Sequence, residues 1–436
     1  MGYFSKIEAA WDTYKQWMDL LKERGGSADR YSDNTLAAIE KWTAGIVKEL
    51  KGASFSKKEP DSLGKIRKRR PNGPRRLTDR IDFSLLEDRL KGAWIGRCAG
   101  CILGIPVEGM AKEAIKNACR NSGVGYPVSD YWKMDPQNSA SPLTLHYNKT
   151  PRKDFLRKNL RYVGADDDLA YTILGLLILE ECGVEFTTAD VAGMWLKYLP
   201  FACTAEHVAL ENLKKGIPSL KAGELGNPFQ DWIGADIRSD PWGYAAAGWP
   251  EKAAEFAWRD AYLSHRSAGL YGAMFFSATI AAAFAVKKPV DAIEIGLTEI
   301  PRNCRLAKTV RMTLEWCEKD RDWETTVDRI LARFKGMSVV HTLNNAALTV
   351  AGIFYGRGDF ERTICLTVMG GLDTDCTGAT AGSISGAILG INKIPPKWKS
   401  PLGNRVETYL NGKTVFYSDA IVRRFLKIAR VIITAE

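Results

Sequence analysis

Apolar residues recur at helical spacing along almost the whole chain. Ile7, Trp11, Tyr14, Trp17, Met18 and Leu21 share one helical face, and Leu36, Ile39, Trp42, Ile46 and Leu50 share another. Gly25-Gly26 marks a turn between them and Ser32-Asp33-Asn34 a second helix start. Residues 1–54 therefore read as a helical hairpin with a Trp-bearing face to bury. Pro60, Pro71, Gly73 and Pro74 interrupt the pattern, so residues 55–82 read as a linker. From residue 83 onward apolar runs dominate. One has glycine at every fourth position, Gly92, Gly96, Gly100 and Gly104, and ends Gly104-Ile-Pro-Val-Glu108. A second repeats the period with Gly378, Gly382, Gly386 and Gly390. Mid-helix glycine costs up to about 1 kcal/mol relative to alanine. Two such stripes predict helices that cross closely in the core, holding Glu108 and the segment before Gly378 around one cleft.

Between these helices the polarity changes. Residues 121–150 are irregular and polar-aromatic, which predicts a loop over a cleft. Residues 184–225 read as helical and 226–250 as a Gly/Pro/Trp-rich loop. Helical patterns resume from Pro250 through Phe334, and His341-Thr342 opens another helix. Ala268 to Val286 is long and apolar, but its Ala/Gly/Ser/Thr content predicts a buried core helix, not a membrane span. Thr414–Tyr417 is the one short strand candidate. The fold class is all-α: a compact multi-helix globule over 83–436, preceded by the hairpin and the linker.

Composition sharpens this in two places. The chain has 436 residues and a net charge of +10, but ten Lys/Arg against three acids fall between Ser56 and Arg80. The basicity thus belongs to the linker, and no aromatic residue is interleaved there as single-stranded nucleic-acid binding would need. The expected partner is therefore not nucleic acid. Nine cysteines, an odd number with one close pair at Cys98 and Cys101, fit reduced thiols and a cytoplasmic protein better than a disulfide framework. No apolar signal core opens the chain, and its composition assigns no oligomeric state.

The candidate chemistry lies in two acidic clusters. Asp373 and Asp375 stand just ahead of the second glycine stripe, and Asp166-Asp167-Asp168 stand ahead of the apolar run from Leu169. A helix start needs one capping carboxylate; the others are costly to bury without a cation or hydrogen bonds. Helix caps, a solvated acidic turn at the triplet and a divalent-metal site are the readings, and the meeting of both clusters would favour metal. Hard cations such as Mg²⁺ take oxygen ligands, and no His/Cys cluster has zinc spacing.

The order of motifs is a glycine-stripe helix ending Gly-x-Pro-x-Glu, an acidic triplet opening a helix, then Gly-Gly-x-Asp-Thr-Asp before a Gly-Ala-x-x-Gly helix. It resembles the ADP-ribosylglycohydrolase family, relatives of the dinitrogenase reductase-activating glycohydrolase, from about Leu86 to Leu402. Ser264-His265, Val340-His341-Thr342-Leu343 and the Gly234–Gly243 loop are supporting echoes. The resemblance implies two Mg²⁺ ions, or Mn²⁺, held by Asp166, Asp167, Asp168, Asp373, Asp375 and Thr377. It implies Glu108 and Asp167 as catalytic carboxylates, and His265 and Gly371 at the substrate; Tyr126, Tyr131 and Trp242 are alternatives for stacking on adenine, and the sequence does not choose among them. The family threonine falls on Asp166 or, one residue earlier, on Ala165. Two positions depart from the family pattern: Cys376 replaces a hydroxyl ligand and Cys101 an aspartate. The implied activity is hydrolysis of the ribosyl C1″ bond in ADP-ribosylated protein side chains or ADP-ribosyl small molecules. The alternatives are a glycosidase acting on another N- or O-riboside and a non-catalytic ADP-ribose-binding member.

Overall fold

Two helices, Leu86–Gly104 and Thr374–Leu389, run antiparallel with backbone against backbone. A Cβ added at Gly92, Gly96 or Gly100 would stand 2.4, 2.2 or 1.9 Å from the carbonyl oxygens of Gly386, Gly382 and Gly378. Side chains normally hold helix axes about 8–10 Å apart; these stripes remove them, and the paired helices become the centre of the molecule. The helix Phe360–Met369 closes over the seam, placing Ile364 beside Gly382 and Val368 beside Gly378.

Within residues 59–436, other helices pack against this pair or against its neighbours. Ser267–Ala283, within the run expected as a core helix, is buried on every face after its first residue. Asp167–Cys182 is likewise buried on every face from Asp168 to Leu179, and Gly175 admits the Pro241 ring. No described helix is long and apolar enough to cross a membrane. The expected strand exists as Lys413–Tyr417, paired antiparallel with Arg405–Leu410, a partner the sequence pattern did not reveal. The loop expected over 226–250 contains a 3₁₀ segment, Ile233–Arg238, and a short helix, Asp240–Ala245.

The computed structural model describes residues 59–137, 145–147 and 149–435, with scattered positions before residue 59. It divides into compact units at 1–58 and 59–436, and the hairpin expected over 1–54 lies outside the described residues apart from those scattered positions. The basic segment differs from the expected solvated linker. Residues 63–69 form a helix that buries Ile66, and Leu77 and Ile81 are also buried. Its arginines meet acids from distant helices: Arg67 with Glu255 at 2.9 Å, Arg70 with Glu299 at 2.5 Å, and Arg75 with Glu299 at 2.7 Å. The proline and glycine breaks shape a strap, and acids far along the chain supply its counter-charges.

Candidate metal centre and cleft

The acidic triplet uses one carboxylate as a helix cap. Asp166 is extended, and its Oδ1 accepts the Asp168 N–H at 3.0 Å. That oxygen also accepts the Cys101 thiol at 3.2 Å, while Oδ2 lies 2.7 Å from His146 Nε2. Asp168 is held from below: buried Arg97 reaches its Oδ1 at 3.2 Å and Asp240 at 2.7 Å, and donates to Thr172 Oγ1 at 2.8 Å. Asp167 is half-buried and faces the cleft.

The second cluster lies at the start of the other glycine helix. Asp373 occupies the cap position without making a side-chain cap bond, and its N–H donates to Asn345 Oδ1 at 3.2 Å. Asp375 follows in the first turn, and its Oδ1 is buried with no hydrogen-bond partner. Glu108 arrives because Gly104 presses against this turn, where a Cβ would stand 2.3 Å from the Asp375 nitrogen. The Gly109 N–H then donates to Leu372 O at 2.8 Å, tying the two chain segments together.

Oxygens of Asp166, Asp167, Asp168 and Asp375 lie within 4.8 Å of one another, as do those of Glu108, Asp373 and Asp375. Asp375 belongs to both sets. Burial, then the Asp166 charge, pushes the Asp167 carboxyl up to about 7. Burial, then Glu108, pushes Asp373 up to about 8. Asp375 and Asp168 are raised well above the carboxylate range, first by burial. Glu108 is exposed as a residue, yet desolvation of its carboxyl, followed by Asp166, raises it too. Crowded oxygen donors, a buried oxygen without a donor and raised pKa values together fit a divalent-cation site with two positions.

Other expected site residues stand elsewhere. Thr377 commits its hydroxyl to the Asp373 carbonyl at 2.9 Å, within its own helix. Cys376 is buried and absent from both oxygen sets. His265 is fully buried with Nδ1 2.8 Å from Ser264 Oγ, in the network where Arg238 meets Asp260 at 2.7 Å. Tyr126 bonds Glu324, and Tyr131 is buried with its hydroxyl on Trp398 O at 2.7 Å. Trp242 stacks on Phe186 in the core at 4.9 Å. Gly371 (φ +79°) permits close approach to Met110 O and does not line the cleft.

A cleft with a cavity volume of about 180 Å³, partly open to solvent, lies over the acids. Glu108, Asp167, Asp168, Asp373, Asp375 and Glu206 line it, with Tyr147, Tyr171 and Trp232 among its aromatic walls. Among the described residues lining it, none is Lys, Arg or His. Glu206, pushed up to about 7 by burial, was missed because it reads as an ordinary polar helix position. Tyr147 and Trp232 had a usable signal, since both fall in loops that the sequence marks as irregular.

Residues 83–427 match the family model described as ADP-ribosylglycohydrolase. The ADP-ribosyl-[dinitrogen reductase] glycohydrolase of Rhodospirillum rubrum is 35% identical over 74 residues, 17% of this chain and 25% of that protein. The aligned region thus spans about a quarter of that relative's length. A solved structure titled "ADP-ribosylglycohydrolase-related protein complex" is similar in fold, with TM-score 0.54 and 20% identity over 80% of this chain and 99% of the other.

Proposed function

The chain belongs to the ADP-ribosylglycohydrolase family, and from that premise we propose that it is a metal-dependent hydrolase of ADP-ribosyl conjugates. The observation that carries the metal reading is Asp375: one buried carboxylate shared by two oxygen clusters, with an oxygen no protein donor meets. Asp167, Asp168, Asp373 and Asp375 are the ligands we assign, with Asp166 and Glu108 completing the two sets. Mg²⁺ or Mn²⁺ there would hold ribose hydroxyls and lower the pKa of an attacking water.

The chain's own residues supply the rest. The carboxylates stabilise positive charge developing at C1″ as the bond to the leaving nitrogen or oxygen breaks. Glu108, which lines the cleft, takes the proton of the water that adds to C1″. Asp167 lines the cleft beside Glu108, so its carboxylate faces the ribose as the bond to the departing group breaks. Tyr147 and Trp232 offer faces for a base, and Arg97 fixes Asp168 in orientation. The substrate is an ADP-ribosylated protein or ADP-ribosyl small molecule in the cytoplasm. The absence of a basic side chain among the described lining residues favours, as a second reading, a neutral nucleoside-like riboside.

The test is a substrate panel of ADP-ribosyl-arginine, ADP-ribosyl-serine and free nucleosides, each with Mg²⁺ and with EDTA. Metal-dependent release of ADP-ribose supports the first reading. Nucleoside cleavage alone replaces it with the second. No turnover together with measurable ADP-ribose affinity leaves a binding protein and overturns both.

A further inference from the structure

The strap ahead of the family region reaches the cleft wall. Glu59 Oε1 accepts the Arg305 backbone N–H at 2.6 Å, and Glu59 Oε2 lies 3.3 Å from Arg305 Nε. Arg305 Nη2 then holds both carboxylate oxygens of Asp231, at 3.0 and 2.9 Å. Asp231 is the residue before Trp232, Ile233 and Gly234, which line the cleft. Its carbonyl accepts the Thr342 N–H at 3.2 Å, and Ile233 N–H donates to Val340 O at 2.9 Å, joining the two chain segments that form this wall.

A second set of contacts involves the first turn of helix Ser267–Ala283. The Ser267 N–H donates to Asp61 Oδ1 and the Ala268 N–H to Asp231 Oδ1, both at 2.9 Å. One carboxylate from the strap and one from the wall thus satisfy two end amides of a buried helix, which its N-terminal dipole favours. Ser267 has φ +46°, so its conformation depends on such a partner. Pro60 O accepts the Tyr271 hydroxyl at 2.6 Å and Asp61 O accepts Trp258 Nε1 at 2.7 Å, seating the strap. Gly269 leaves no freedom beneath the wall: a Cβ there would stand 2.5 Å from Gln230 O and 3.0 Å from Trp232 O.

We propose that residues 59–61 are a positioning element of the cleft, fixing the Asp231–Gly234 wall through Arg305 and the shared helix start. They touch no reacting atom. A single exposed ion pair contributes little to stability, so the consequence expected is local order at the wall, read as ligand affinity. Binding would then depend on a segment that lies outside the family-matched region. The affinity part of this claim rests on the ADP-ribosyl reading above.

The test uses the full chain carrying Glu59→Gln, Asp61→Asn or both, with Glu59→Asp as the conservative variant. Hydrogen exchange at the Ile233, Ser267, Ala268 and Thr342 amides should accelerate about tenfold in the double variant, with the melting temperature nearly unchanged. Calorimetric titration with ADP-ribose should show affinity about tenfold weaker, and turnover should show raised KM with kcat within about twofold. Glu59→Asp should recover part of the affinity. Unchanged exchange at these amides overturns the proposal, as does faster exchange with unchanged ADP-ribose affinity. If the unaltered protein binds no ADP-ribose, the functional reading fails, and exchange at Ile233 alone decides the positioning claim.

Discussion

A buried carboxyl oxygen without a donor forfeits its hydration and gains nothing in return. Asp375 Oδ1 is in that position, between two sets of carboxylates. Asp375→Asn removes the shared charge while nearly preserving volume. We expect ADP-ribose release to fall by more than about a hundredfold and Mg²⁺ affinity to drop in calorimetry, with helical circular dichroism intact. Near-native turnover would show that the two-cluster argument is wrong. The raised carboxyls also predict a pH effect. Asp167 and Asp373 titrate near 7 and 8 when folded, against an ordinary aspartate value of 3.8. The folded state therefore binds more protons between these limits, and the metal-free protein should lose stability as pH rises from about 4 to about 8. Melting curves in EDTA should show that fall, and Mg²⁺ should raise the midpoint most at the alkaline end. A midpoint in EDTA that is flat or climbs with pH would count against it. The carboxylates were legible because adjacent acids before an apolar helix exceed what a cap requires. The aromatic assignments were not, because no local pattern tells which way the fold turns Tyr131 or Trp242.

At the scale of the element, the four-residue glycine period was the most informative feature of the sequence. It predicted a crossing of the two stripe helices, and the carbonyls of Gly378, Gly382 and Gly386 occupy the space where Cβ atoms of the first stripe would stand. Gly100→Ala would place a methyl 1.9 Å from Gly378 O. The obstacle is backbone in a buried helix, so the helices must separate. We expect a loss of about 1–3 kcal/mol or more by denaturant unfolding, with weaker Mg²⁺ binding because the same seam sets Glu108 against Asp375. Gly193→Ala is the matching control. It lies within helix Thr188–Tyr198 with nothing within 4 Å of the added Cβ, and should stabilise by about 0.5–1 kcal/mol. Equal effects at the two sites would remove the packing explanation. The strand Arg405–Leu410 escaped notice because its pattern is buried nearly throughout, without the alternation that betrays a half-exposed strand.

The whole molecule is where composition misled. Ten basic residues among prolines and glycines read as a solvated linker, because the partners of Arg67, Arg70 and Arg75 (Glu251, Glu255 and Glu299) lie between 181 and 229 residues further along. No local window contains both halves of such a network. Its centre is Glu299, whose side chain is fully buried and meets Arg70 and Arg75. Removing both partners leaves an uncompensated carboxylate, a loss of about 3–5 kcal/mol. Stripping Ile66, Leu77 and Ile81 from their sites adds roughly 1.5–3 kcal/mol for each well-buried side chain. A chain beginning at Glu59 should therefore melt within a few degrees of the full protein, whereas one beginning at Phe83, where the family match starts, should aggregate or melt far lower. Arg70→Ala in the full chain separates the two contributions, since it weakens the Glu299 clamp while leaving Ile66, Leu77 and Ile81 in place. If the chain from Phe83 melts with the chain from Glu59, the strap is dispensable, and the stability of this protein resides in its family region alone.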